Sequence, residues 1–249
     1  MMWNDVVDLR DFYAAPLGQM TRRLLRRRIR LIWPDLHGLR ILALGYGTPY
    51  LRPFKDEAER VIAIMPAAQG VVPWPPEGPG LVALGEETEL PLPDRSMDRV
   101  LVVHCLEATE NLRGMMREIW RVMADGGRLL VVAANRRSLW ARLERTPFGQ
   151  GRPYTPAQLN RLLRDTMFMP LQTQSALFMP PFRSRFVLRS GPAWERAGER
   201  WFPRFSGVVL VEATKQLYAG AAIREREGKR GYVALPQGFR RTSAKGMGP

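Results

Sequence analysis

The run Leu42-Ala43-Leu44-Gly45-Tyr46-Gly47-Thr48 decides how the rest of the chain reads. It is apolar until it stops at two glycines that flank a single residue. A buried parallel strand ends in this way, and a tight turn that hugs a ligand begins. A backbone without Cβ takes positive φ and lets a ligand come close, which is why glycine suits the turn.

Outward from that run, Leu39 to Leu44 reads as a central strand, apolar on both faces as expected where helices cover both sides of a sheet. Val61-Ile62-Ala63-Ile64 repeats the pattern and ends at Met65-Pro66. The Pro/Gly-rich passage from Gly70 to Gly80 reads as irregular loop. Leu81-Val82-Ala83-Leu84 is a third short run that ends in Gly85-Glu86. A fourth, Arg99 to Val103, follows the turn signal Pro93-Asp94-Arg95-Ser96. A helix is expected from Asn111 to Met123, with Leu112, Met115, Met116, Ile119 and Val122 on its inner face. Asp125-Gly126-Gly127 breaks it, and Arg128 to Ala133 is a fifth strand. Short apolar strands alternating with helices predict a parallel α/β sheet with right-handed crossovers.

Upstream, Thr21 to Trp33 predicts a helix that Pro34 ends. Leu25, Ile29, Ile32 and Trp33 form one stripe, and Arg22, Arg23, Arg26, Arg27 and Arg30 lie opposite. Two readings stay open: a basic face for phosphate or anionic lipid, or an amphipathic helix covering a sheet with snorkelling arginines. Downstream, 136–154 is a basic insertion containing Trp140 and Phe148. Thr155-Pro156 starts a helix to about Met167, with Thr as cap and Pro in the first turn. Gln172 to Phe178 reads as a sixth strand and Gly207 to Thr214 as the last. A second insertion, 180–206, sets Trp194, Trp201 and Phe202 among arginines. It reads as a substrate lid, a membrane-touching surface, a partner interface or a small packed subdomain.

The organisation expected is therefore an N-terminal helical segment (1–38) packed on the core, an α/β domain (39–222) with the two insertions, and a basic, disordered tail (223–249). A chain of 249 residues can bury a sizeable core. No apolar run approaches the ~18 residues of a membrane helix, and no signal-peptide pattern is present, so a cytoplasmic location is expected. Cys105 is the only cysteine, which excludes an internal disulfide. With no Cys/His cluster, no metal site is expected. The net charge of +14 is unevenly spread. Residues 41–135 hold nine Lys/Arg against 13 Asp/Glu, whereas 136–206 hold 13 against four. That pattern fits either a basic periphery meeting an acidic partner, nucleic acid or an anionic membrane, or a merely solvated surface.

Three stretches carry a family resemblance: Leu42 to Thr48; Gly85 to Pro91 with Pro93-Asp94 and Ser96-Met97-Asp98; and Asp98-Arg99-Val100 through Leu106-Glu107 with Glu118-Ile119-Trp120-Arg121-Val122 and Gly126-Gly127. In these the chain resembles class I S-adenosylmethionine-dependent methyltransferases of the small-molecule and quinone methyltransferase group. The resemblance implies a doubly wound, mostly parallel seven-stranded sheet with helices on both faces and a final antiparallel strand. It implies S-adenosyl-L-methionine as cofactor, S-adenosyl-L-homocysteine as product and a small-molecule acceptor.

By the same resemblance Gly45, Tyr46, Gly47 and Thr48 form the cofactor's glycine loop. Met65 stands at the ribose position, Glu86 with Glu87 at the adenine position, and His104 where family members face the methyl acceptor. An imidazole at His104 is the candidate general base; the other reading is a histidine hydrogen-bonded at a strand end. The chain departs from the family at Met65, where an acid is usual, at Ala43, also usually an acid, at Tyr46 between the glycines, and at Pro49 in place of a third glycine. Three functions follow: a methyltransferase for a small or lipophilic acceptor, a weakly catalytic or inactive member acting as a binding or regulatory subunit, or a nucleic-acid-binding or -modifying protein. A protein partner is expected, if anywhere, at the aromatic insertion.

Overall fold

The computed structural model describes residues 5–216, which fall in one compact unit. Its centre is a seven-stranded sheet in the order β3-β2-β1-β4-β5-β7-β6. The strands are β1 (Arg40–Gly45), β2 (Arg60–Pro66), β3 (Val82–Gly85), β4 (Met97–Val103), β5 (Met123–Ala134), β6 (Phe168–Ala176) and β7 (Val208–Lys215). The first five pair in parallel, and β7 runs antiparallel between β5 and β6. This is the expected architecture. Strand order reverses between β1 and β4, so the crevice at their carboxyl ends is the natural ligand position.

Alternation along the strands divides the core. Ile41, Ala43, Leu101, Val103, Leu130 and Val132 face one side, where α1 (Val6–Ala14) and α2 (Pro16–Ile32) pack. Leu42, Leu44, Val100, Val102, Leu129 and Val131 face the other, against α4 (Leu112–Val122) and α5 (Pro156–Asp165). α5 begins as expected, in a complete capping box between Thr155 and Gln158. Arg40 braces β1 to β4 at their amino ends: its Nε and backbone N both donate to Asp98 Oδ2 at 2.9 Å.

Several expectations need correcting. The N-terminal segment holds two helices, because Asp5 caps a first one with its Oδ1 on Val7 N at 2.7 Å. The chain then turns at Ala15 into a second helix opened by Pro16. Gly18 permits the elbow: a Cβ there would lie 1.9 Å from the Phe12 carbonyl oxygen. The crossover from β1 to β2 keeps only α3 (Thr48–Leu51) and a 3-10 turn (Arg52–Phe54), and the one from β2 to β3 has no helix. β5 starts at Met123, ahead of Gly126-Gly127, since Met97 and Met123 pair across a bulge. β6 starts at Phe168, and the aromatic insertion forms α6 (Arg185–Arg189), α7 (Gly191–Trp201) and a 3-10 turn (Pro203–Phe205). The tail expected over 223–249 lies outside the described residues.

Candidate active site

β1 ends at Gly45 with φ of +84°, and a Cβ there would meet the Val103 carbonyl oxygen at 2.3 Å. Any other residue would drive β1 and β4 apart at the crevice. Gly47 N donates to Gly45 O at 3.0 Å, and Tyr50 N to Gly47 O at 2.9 Å, so the turn runs directly into α3. On the opposite wall, His104 follows β4 with φ of +53°. The turn through Gln69 closes the third side, with Gln69 Nε2 donating to the His104 carbonyl oxygen at 2.9 Å.

Aromatic rings fill the mouth. Tyr13, from the last turn of α1, stacks on Tyr46 at 5.7 Å between centroids, with 23° between planes. Its hydroxyl lies 2.6 Å from the Tyr50 hydroxyl and 2.7 Å from His104 Nε2. Phe148, from the first insertion, covers the imidazole at 4.8 Å, and Trp140 backs Phe148 at 5.5 Å. Tyr46, Met65 and His104 retain 5%, 0% and 3% of their exposure, so side chains of the protein itself close the crevice in this conformation.

Burial sets the protonation states. It lowers the His104 imidazole to about 3, leaving it neutral. It also pushes the Tyr13 phenol well up, helped by the neighbouring Tyr50. A neutral imidazole with Nε2 unprotonated lets Tyr50 donate to Tyr13 and Tyr13 donate to His104 Nε2, so both phenol protons are used.

The expected site residues do not stay together in one open pocket. Gly45, Tyr46, Gly47, Thr48, Met65 and His104 surround the closed crevice. Glu87 is buried and accepts from Thr109 Oγ1 at 3.0 Å, whereas Glu86 is exposed. Two buried groups were given no role from the sequence. Gln69 Oε1 and Glu107 Oε2 have no hydrogen-bond partner among the described residues. Glu107 Oε1 accepts from Ala134 N at 2.8 Å, and burial lifts this carboxyl to about 7. Among the described residues, Asp35, His37 and Glu57 bring one donor atom each within 4.8 Å of one another. Arg30 already holds Glu57, and Asp35 and His37 are exposed.

Residues 44–131 match the family model of the methyltransferase domain. That segment is thus similar to a methyltransferase domain, and the match covers about a third of the chain. A Mycobacterium bovis protein of uncharacterized role is 28% identical over 145 residues, covering 55% of this chain and 48% of that one. The chain thus spans about half the length of the curated relatives it matches first. A demethylmenaquinone methyltransferase of Tropheryma whipplei is 44% identical over 43 residues, 17% of this chain and 18% of its own. In fold, the chain resembles a Thermotoga maritima structure described as a SAM-dependent methyltransferase, possible histamine N-methyltransferase. That likeness has a TM-score of 0.60 at 18% identity, over 85% of this chain and 96% of the other.

Proposed function

We propose that the protein transfers a methyl group from S-adenosylmethionine to a small or lipophilic acceptor at the crevice between β1 and β4. The observation that supports this most is Gln69 Oε1, a buried acceptor without a partner in the turn that bonds to the His104 carbonyl, with a second such atom, Glu107 Oε2, three residues past His104. Most buried polar atoms are paired, and an unpaired acceptor beside a crevice is free to meet a ligand, an ion or a water. Gln69 stands a few residues past Met65, so its amide oxygen offers a ribose hydroxyl the acceptor that Met65 lacks. Gly45, Gly47 and Thr48 would hold the amino-acid end, and Glu87 the adenine side. The bound cofactor supplies an electrophilic methyl on a sulfonium.

The chain's own residues align the acceptor, exclude water and take up its proton. His104 was the base expected from sequence, but an imidazole at about 3 is a poor proton acceptor. Glu107, lifted to about 7 by burial and with Oε2 free of a partner among the described residues, is the proposed proton acceptor in its place. Entry requires Tyr13 to leave Tyr46, which makes α1 a lid over the site. Calorimetric titration with S-adenosylhomocysteine tests the reading. Tyr13→Ala should bind at least about tenfold more tightly than the parent, because the closed population is removed. Absence of heat with both proteins at millimolar ligand would end the enzyme reading.

The stacked Tyr13–Tyr46 pair specifically favours a second reading, in which the domain is a binding or regulatory subunit with a permanently filled crevice. In that case Tyr13→Ala loses stability and gains no ligand.

A further inference from the structure

We propose that the aromatic insertion docks the protein on an anionic lipid surface, with one lipid chain entering the groove at its base. The feature does not rest on the methyl-transfer reading, and it meets the crevice only through Trp140, which also backs Phe148. Trp201, Phe202 and Phe205 are 70%, 61% and 61% exposed, at the end of α7 and in the turn that follows. Leu139 is 52% exposed on the facing segment. Phe202, Phe205, Leu139 and Trp194 rim a groove of about 460 Å³ floored by Trp140 and Met179. Isolated exposed apolar residues are ordinary on a protein surface, but a cluster of this many large ones around one concavity marks a contact surface.

The charges name the occupant. Arg137 and Arg142 line the groove, Arg200 lies over the Trp201 ring at 5.9 Å, and Arg204 separates Phe202 from Phe205. All four arginines are exposed, and none has an acidic partner among the described residues. Both acids of α7 are engaged elsewhere. Glu195 accepts from the backbone N–H groups of Leu177 and Phe178, and Glu199 is held by Arg28 in two bonds of 3.0 and 3.1 Å. The face therefore presents aromatic side chains flanked by uncompensated guanidinium groups. Rings enter the acyl boundary of a bilayer while long cationic side chains stay at the headgroups, so this arrangement matches an anionic membrane surface. No helix among the described residues is long and apolar enough to cross a membrane, so the attachment is peripheral.

Flotation of the full chain with vesicles provides the test. Phosphatidylcholine vesicles containing phosphatidylglycerol should carry the protein up and shift its tryptophan emission to the blue, and pure phosphatidylcholine should do so far less. Other basic segments could attract anionic vesicles by charge alone, so the deciding variant leaves charge untouched. Trp201→Ser with Phe205→Ser should weaken binding at least about tenfold, since it removes two of the rings that enter the bilayer. Trp201→Phe should retain binding. Arg200→Glu with Arg204→Glu should also weaken it, most at low salt. Both positions of the serine variant are exposed, so its circular dichroism should match the parent. Failure of the parent to float, or equal flotation of the serine variant, overturns the proposal. So does loss of self-association or of RNA retention in that variant with vesicle binding unchanged.

Discussion

Tyr13 and His104 are joined by a hydrogen bond of 2.7 Å across 91 residues of sequence, tying the N-terminal helix to the carboxyl end of β4. The bond lies inside a stack of rings, where water does not compete. It couples whatever moves α1 to the state of the crevice.

Tyr13→Phe keeps the ring stacked on Tyr46 and removes only the hydroxyl. Two buried polar partners, Tyr50 Oη and His104 Nε2, then lose their bond. The expected cost is about 1–3 kcal/mol of stability, read as a lower urea midpoint with an unchanged slope. An unchanged midpoint would mean the two groups pair with water instead.

His104 should make the protein sensitive to acid. Its imidazole is held at about 3 by burial, below the 6.5 of an unfolded chain, so between those values the unfolded state binds the extra proton. The stability contributed by neutral His104 is complete above 6.5 and is lost as pH falls toward 3. His104→Gln should flatten the pH dependence of the urea midpoint across that window. A parental profile in the variant would show that the imidazole titrates without opening the stack.

Glu107 works in the opposite direction. Its carboxyl sits at about 7 in the fold against 4.5 unfolded, so the folded state holds the proton longer. The stability of the protonated form is complete below 4.5 and is lost as pH rises through about 7, on the order of 3 kcal/mol in all. Glu107→Gln should remove that loss while keeping an acceptor for Ala134 N. If Glu107 is also the base, the variant's methyl transfer should fall without the rise toward neutral pH seen in the parent.

Much of this was legible because it is local. β1 and β4 hold the apolar runs Ile41 to Leu44 and Val100 to Val103, and Gly45 announces where β1 stops. Glu118 and Arg121, three apart on α4, pin the loop after β3 through bonds to the backbone of Leu90 and Leu92, so that motif carries its own geometry. The first helix was missed because Val6 to Ala14 has only a thin apolar stripe, with Leu9 and Tyr13 doing most of the burying. Tyr13 meets His104 only once the sheet has formed. Gln69 gave no signal at all, being one polar residue in a Pro- and Ala-rich turn. Its importance comes from the His104 carbonyl that the fold sets beside it.

Gly45 is the position where fold and site share one requirement, and substitution there separates them poorly unless two readouts are taken. Alanine must adopt a φ of +84° and place its Cβ 2.3 Å from the Val103 carbonyl oxygen. Strain of that kind costs about 1–3 kcal/mol before any backbone shift. Relief comes only by moving β1 away from β4, which widens the crevice and unseats the ring of Tyr46. Gly45→Ala should therefore lower the urea midpoint and raise amide exchange at Tyr46 and His104, with β5 and β7 left protected. Uniform loss of protection across the sheet would show that the turn holds up the whole fold rather than the crevice alone.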